Sequence, residues 1–278
     1  MTMPQITLND GTKIPAIVFG TYKLNGASGV EAMKGAIDVG YTGLDSAFNY
    51  ENEGALGKAL RESGHKRESI RIASKLPGRH HAYDEALATI EESLYRTGVD
   101  YYDVYFIHWP NPKVGKYVEA WKALIEAKKR GYVQSIAVCN FLPEHLQRLL
   151  DETGVLPCIN QIELHPYFPQ DEARAWHKQH NIVTQSWSPL GRGNDILTNP
   201  VLEGIAKRVE RSVSQVILRW HHQLGCVPLP KASSRKHQIE NMSIFDFALT
   251  DEDMKAIATL ARPGGRTANQ DPAVYEEF

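Results

Sequence analysis

At 278 residues, the chain can bury about three-quarters of the surface its unfolded form exposes, so its core needs neither disulfides nor metal, and a small stapled scaffold is excluded. Hydrophobic residues at 42% and charged residues at 23% are ordinary globular values that argue against disorder, collagen and coiled coil. A formal net charge of −2, from 31 basic and 33 acidic residues, leaves no electrostatic surplus for gripping a polyanion, so no nucleic-acid partner is expected.

In chain order, the first ten residues show neither a basic flank nor an apolar stretch of signal-peptide length, and no later run approaches the roughly 18 apolar residues of a membrane span. Cys139, Cys158 and Cys226 are odd in number, far apart and without a CxxC spacing, which predicts reduced thiols. A soluble, cytoplasmic protein with no membrane partner is expected.

Residues 6–8 and 13–14 flank Asn9-Asp10-Gly11, a strong hairpin-turn signal. Beyond it, short runs rich in β-branched and aromatic residues alternate with longer segments of helical period. The pattern predicts strands over 16–19, 43–45, 71–75, 104–108, 135–138, 159–162, 183–187 and 227–229. Helices are predicted between them over 29–39, 53–63, 84–97, 117–129, 143–152 and 171–179, with two more over 200–209 and 212–224 and a last over 251–260. Gly40, Gly98 and Gly131 follow helices where a positive φ is useful, and Pro143 opens one where its missing N–H costs nothing. No composition shift or charge run marks a linker, so residues 1–278 read as one domain. Repeated βα units call for a parallel sheet with right-handed crossovers. The GxGxxG fingerprint of the open dinucleotide fold is missing near Gly20, where the chain reads FGTYKLNG. The expected class is therefore α/β, a (β/α)8 TIM barrel with an N-terminal hairpin covering its bottom and extra helices.

At the carboxyl end of each predicted strand stands a residue that a hydrophobic layer would not ask for: Tyr22, Asp45, Lys75, His108, Asn140, Gln161, Trp187 and Lys231. Their mean spacing is about 30 residues, one βα unit each, so all eight ring the face on which such barrels carry their chemistry. A tyrosine phenol is a poor acid at neutral pH, but a neighbouring ammonium stabilises the phenolate. Lys75 can be that ammonium for Tyr50, and Asp45 on the adjacent strand can fix it by a charge-assisted hydrogen bond. His108 can place a neutral N–H near the same spot and hold a carbonyl oxygen while Tyr50 donates its proton. Singly, each has an ordinary account: Asp45 as a loop cap, Lys75 as a solvated lysine, His108 as a buried histidine and Tyr50 as cover for the next helix. Jointly they form a set for reducing a carbonyl, provided something else delivers hydride.

These motifs resemble the aldo-keto reductase family over essentially the whole chain. GYTGLDSAFNYENEGALG at 40–57 is similar to the family's first signature and carries Asp45 and Tyr50. ASKLP with Lys75, VYFIHWP with His108, AVCNF with Asn140, NQIELHP with Gln161 and LPKASS with Lys231 follow in order. The resemblance implies a nicotinamide cofactor lying across the barrel mouth and a Tyr50, Lys75, Asp45, His108 tetrad. It also implies that Asn140 and Gln161 hold the nicotinamide carboxamide, that Trp187 stacks on the ring, and that Gly20, Thr21 and Tyr22, beside Asp45, shape the cofactor edge. Trp187 as barrel filling stays open as the plainer alternative. Residues 189–199 resemble the loop that folds over the pyrophosphate, with Ser188, Leu190 and Arg192 as cofactor contacts and Gly191 and Gly193 as its hinges. The adenosine end is implied at 231–241, in Lys231, Ser233, Ser234, His237, Glu240 and Asn241. Many members carry an arginine where His237 stands, and a phosphate favours the permanently charged, bidentate guanidinium. NADPH is thus expected first, with appreciable NADH use.

The connection over 110–116 is short and leaves the mouth open, with Tyr22, Phe48, Tyr50, Trp109 and Tyr275 as aromatic walls for small or medium aldehydes and ketones. Tyr22, Phe48, His108 and Trp109 are the expected substrate contacts. The overall look is that of bacterial and fungal branches acting on keto acids, diketo sugars, dicarbonyls and keto esters, and it implies a monomer. Two other readings stand beside the reductase: a non-catalytic nicotinamide sensor or subunit on the same barrel, and a metal-dependent barrel hydrolase. Against the latter, the chain has no HxH or HExxH, and His80-His81 and His221-His222 fall in a loop and on a helix, so no metal is expected.

Overall fold

The computed structural model describes residues 3–193 and 195–278. Two short strands, β1 (Gln5–Thr7) and β2 (Lys13–Pro15), pair antiparallel about the Asn9-Asp10-Gly11 turn. Eight further strands form one parallel sheet in sequence order: β3 (Phe19–Gly20), β4 (Gly43–Asp45), β5 (Arg71–Leu76), β6 (Tyr102–Ile107), β7 (Val133–Cys139), β8 (Ile159–Glu163), β9 (Val183–Trp187) and β10 (Val227–Pro228). The crossovers carry α1 (Gly26–Asp38), α2 (Glu53–Glu62), α3 (Tyr83–Thr97), α4 (Tyr117–Lys129), α5 (Pro143–Thr153), α6 (Asp171–Gln179), α7 (Pro200–Val209) and α8 (Val213–Gln223). Two helices, α9 (Arg235–Met242) and α10 (Asp251–Ala258), follow the last strand. Among the described residues no helix is long and apolar enough to cross a membrane.

The first predicted strand, 16–19, shrinks to two paired residues, and proline explains it. Val18 N donates to Pro228 O at 3.2 Å and Gly20 N to Pro230 O at 3.0 Å, which brings the first strand against the last and closes the barrel. A parallel ladder would return bonds from the backbone nitrogens of 228 and 230, but proline has no N–H to give. The seam is therefore bonded in one direction only. Gly20 eases this approach, since a Cβ would stand 3.2 Å from Leu229 O, tighter than ordinary contact.

Helix α9 was not predicted. Its eight residues bury only Gln238 and Asn241 and present no apolar stripe, which is the signal that sequence periodicity reads. What starts it is a cap: Ser234 Oγ accepts from His237 N at 3.3 Å.

Side chains alternate in and out along each strand. Ala73, Val104, Phe106, Ala137, Ile159, Val227 and Leu229 meet inside the barrel, and Leu8 and Ile14 of the hairpin join the same cluster. The hairpin is bound to the barrel wall through Asn9 Nδ2, which donates to Pro157 O at 3.1 Å, and through Asp10. One step of two residues above these filling positions come Lys75, His108, Cys139 and Gln161, so the alternation that fills the barrel also aims the polar set at its mouth.

Asp10 accepts from Lys128 Nζ and Ser135 Oγ, both at 2.8 Å, and from Thr12 Oγ1 at 2.7 Å and Thr12 N at 3.1 Å. Burial opposes the carboxylate, but these donors win and hold its pKa at about 2. The folded value lies below that of the unfolded chain, so the contribution to stability is complete above about pH 4 and is lost as pH falls toward 2. Asp10→Asn should therefore flatten the fall of Tm between pH 5 and 2 relative to wild type. Parallel Tm curves would place that acid sensitivity elsewhere.

Candidate active site

Asp45 ends β4, and Lys75 sits one residue before the end of β5 on the neighbouring strand. Both are buried. Lys75 Nζ donates to Asp45 Oδ1 and, at 2.6 Å, to Ser46 O. The other carboxylate oxygen, Asp45 Oδ2, accepts from Gln161 Nε2 at 2.9 Å. Burial works against the ammonium, but Asp45, then Tyr50 and Cys139, outweigh it and raise the Lys75 pKa above its ordinary value.

Tyr50 closes a single 3-10 turn, Phe48–Tyr50, and its ring centroid lies 4.9 Å from Lys75 Nζ and 5.8 Å from that of His108. The tetrad predicted from strand ends is thus brought together in space. Its electrostatics differ from the expected acidified phenol. Burial dominates and pushes the Tyr50 pKa up to about 12, while Lys75 pulls in the predicted, downward direction without prevailing. The phenol keeps its proton near neutrality.

Threonine 21 is fully buried, and its hydroxyl donates to Asp45 O at 2.8 Å. Asn52, a residue not singled out in sequence, ties the loops after β3 and β4 together: its Nδ2 donates to Thr21 O at 2.8 Å and Leu24 O at 3.1 Å, and its Oδ1 accepts from Ser46 Oγ at 2.6 Å. Side chains beyond a β-strand would otherwise be mobile, and these bonds hold Asp45 and Ser46 still.

A cavity of about 410 Å³ runs from Tyr50 and Asp45 past Gln161, Trp187, Ser188, Leu190 and Arg192 to Lys231, with Gly20, Thr21 and Tyr22 along one edge. Asn140, held at φ 62°, donates from Nδ2 to His108 O at 3.0 Å and accepts on Oδ1 from Trp187 Nε1 at 2.8 Å. Gln161 Nε2 also donates to Gln185 Oε1 at 3.1 Å. Both amides and the indole are therefore oriented in advance. The Arg192 guanidinium lies 5.1 Å from the Trp187 ring centroid and 5.5 Å from that of Tyr22, bridging the cavity walls. Asn194 of the predicted covering loop lies outside the described residues.

At the far end, Lys231, Ser233, Ser234 and His237 are exposed around the start of α9, which offers cationic and hydroxyl donors together with helix N–H groups. Glu240 accepts from Ser212 Oγ and Asn241 is buried, so these two anchor α9 against α8 and its surroundings. The donor set, with amides and an aromatic face at one end and phosphate-binding groups at the other, fits an extended nicotinamide dinucleotide.

A second cavity, about 310 Å³, shares Tyr22, Tyr50 and Trp187 with the first and adds His108, Trp109, Tyr275 and Glu277. Phe48 lines neither cavity, contrary to its expected place in the substrate wall. Successive residues of a 3-10 turn point roughly 120° apart, so Tyr50 and Phe48 diverge, and Phe48 packs beneath Arg96, whose guanidinium carbon is 3.9 Å from its ring centroid. Glu277, which sequence reasoning missed, brings Oε1 to 2.7 Å from His108 Nδ1. Among the described residues no group of three His, Cys, Asp or Glu is placed to hold a metal ion.

Comparison with known proteins agrees with this geometry. A family model described as Aldo/keto reductase family matches residues 16–262. The chain belongs to the aldo/keto reductase family. It is 48% identical over 276 residues to 2,5-diketo-D-gluconic acid reductase B of Corynebacterium sp. (strain SHS752001), covering 99% of each chain. Methylglyoxal reductase DkgA of Escherichia coli (strain K12) is 40% identical over 269 residues, 96% of each. Among solved structures, a mutant of Gox0644 in complex with NADPH is 40% identical, covers 99% of this chain and 100% of its own, and superposes with a TM-score of 0.94.

Asp45→Asn should leave the Lys75 ammonium buried without its counter-charge, which costs about 3–5 kcal/mol. Urea unfolding at pH 7 measures it, and a loss below 1 kcal/mol would mean that Ser46 O and water suffice to hold the ammonium.

Proposed function

We propose that the protein reduces aldehydes and ketones, above all dicarbonyls and keto sugars, to alcohols with NADPH, acting as a cytoplasmic, single-domain monomer. The observation that carries this reading is the placement of a protonated phenol, Tyr50, between the Lys75–Asp45 pair and His108 at the junction of the two cavities. The cytoplasmic part is supported by Cys139, Cys158 and Cys226, all free and buried. The substrate class is supported by the relatives named for 2,5-diketo-D-gluconate and methylglyoxal and by a second cavity too small for a bulky ligand.

When bound, the dihydronicotinamide supplies a hydride. Trp187 would pack the ring face, and Asn140 and Gln161 would hold its carboxamide and so orient the ring. His108 steadies the carbonyl oxygen. As that oxygen gains charge it becomes far more basic than a phenolate, so Tyr50, loaded because of its high pKa, gives up its proton only then. The Lys75 ammonium offsets the charge left on the phenolate, and Asp45 keeps that ammonium in place. Water reprotonates Tyr50 after release.

Tyr50→Phe should lower turnover of methylglyoxal by on the order of 10² to 10⁴ while NADPH binding, followed by fluorescence quenching, stays within a few-fold. Equal turnover would remove Tyr50 as the donor. His237 stands where a guanidinium would give a permanently charged, bidentate grip on the 2′-phosphate. His237→Arg should therefore raise the ratio of kcat/KM with NADPH to that with NADH. An unchanged ratio would assign the preference to Lys231 and Arg235.

A further inference from the structure

The C-terminal tail reaches the catalytic histidine. Glu277 is buried, and its carboxylate accepts from Asn49 Nδ2 at 2.9 Å and from Gly78 N at 3.0 Å, besides its 2.7 Å approach to His108 Nδ1. Its backbone is clipped twice to Asn111: Asn111 Nδ2 donates to Glu277 O at 2.8 Å, and Glu277 N donates to Asn111 Oδ1 at 3.1 Å. Lys113 N donates to Glu276 Oε1 at 2.7 Å, and the Tyr275 and Trp109 ring centroids are 4.4 Å apart. Gly78 leaves room for this docking, because a Cβ there would come within 2.3 Å of Asn111 Nδ2 and 2.4 Å of Glu277 O. Three of these contacts, from Asn49, Gly78 and His108, converge on the Glu277 carboxylate.

An unprotonated Nδ1 at 2.7 Å from a carboxylate oxygen would set two lone pairs against each other. Among the described residues no other acceptor reaches Nδ1, so Glu277 is the group placed to hold a proton there. Burial opposes the Glu277 carboxylate, but His108, with the Asn49 and Gly78 donors, outweighs it and holds its pKa below the ordinary range. With Nδ1–H committed to Glu277, the ring has an N–H left for a ligand at Nε2 only in its doubly protonated form.

We propose that Glu277 is a positioning residue for the reduction: it fixes the proton on His108 Nδ1 and serves as the counter-ion that lets His108 meet the substrate carbonyl through Nε2–H as an imidazolium. This rests on the reductase reading, and it replaces the neutral N–H expected of His108. His108 transfers no proton. The hydride and the Tyr50 proton still account for both hydrogens added to the carbonyl, and the imidazolium stabilises the oxygen's charge until Tyr50 quenches it. The other titratable groups around the ring are Tyr50 on the turn after β4, the Lys75–Asp45 pair on β5 and β4, Cys139 on β7, His81 after β5 and Arg192 across the cavity. Burial keeps Cys139 protonated and lowers His81 to about 4, so both are neutral in the working range.

The test is the pH dependence of kcat/KM for methylglyoxal with NADPH in wild type, Glu277→Gln and Glu277→Asp. Glu277→Gln leaves the backbone clip on Asn111 intact, removes the charge and turns one of the two carboxylate acceptors into a donor. It should move the alkaline limb to lower pH by on the order of one unit, with activity at pH 6 within a few-fold of wild type and NADPH affinity unchanged. Glu277→Asp should restore the limb. In ¹⁵N-histidine-labelled wild type, the His108 Nδ1 signal should be that of a protonated nitrogen. An unmoved limb, a loss equal at every pH or an unprotonated Nδ1 would overturn the proposal while leaving the reductase reading intact. Absence of turnover by wild type with any carbonyl would instead defeat that reading, and the proposal with it.

Discussion

A lysine ammonium and an aspartate carboxylate, taken out of water side by side, govern the rest of the mouth of the barrel. Neither Lys75 nor Asp45 would be tolerated there alone, since an isolated ion in such surroundings costs far more than a fold can spare. Held together by each other, by Ser46 O and by Gln161 Nε2, they form a fixed dipole under Tyr50. The loops after β3 and β4 are knitted by Thr21 and Asn52 because that dipole has to stay where it is. Sheet closure, loop bonding and phenol chemistry are one arrangement viewed at three scales.

The barrel and most of the tetrad were legible in the sequence because both rest on periodicity. Alternation along a strand is exact enough that Ala73 in the filling layer implies Lys75 above it, and the same holds for Ile159 and Gln161. Strand-end residues spaced by one βα unit therefore read as neighbours although about 30 residues separate each from the next. Helix boundaries marked by glycine or proline, such as Tyr117–Lys129 and Pro200–Val209, coincide with the observed elements.

What lacks a period could not be read this way. Helix α9 carries no apolar stripe and owes its start to a serine cap. Phe48 and Tyr50 look equivalent in FNYENE, and only the tight turn sends their rings apart. The Tyr50 pKa depends on a contest between desolvation and a nearby charge, and sequence supplies the charge but not the depth. Glu277 carries no signal at all: a glutamate in an irregular tail becomes meaningful only when Asn111, Gly78 and Asn49, from three separate loops, are seen to receive it.

The one-way seam between β3 and β10 has a dynamic side. Elsewhere around the barrel each strand is tied to its neighbour by reciprocated bonds, whereas Pro228 and Pro230 accept without returning. Thermal breathing of the cylinder will concentrate along this zipper with half its teeth, since parting there sacrifices the fewest bonds. Gly20 and Lys231 flank that line, so the opening mode that costs least is also the one that widens the groove in which a dinucleotide would lie.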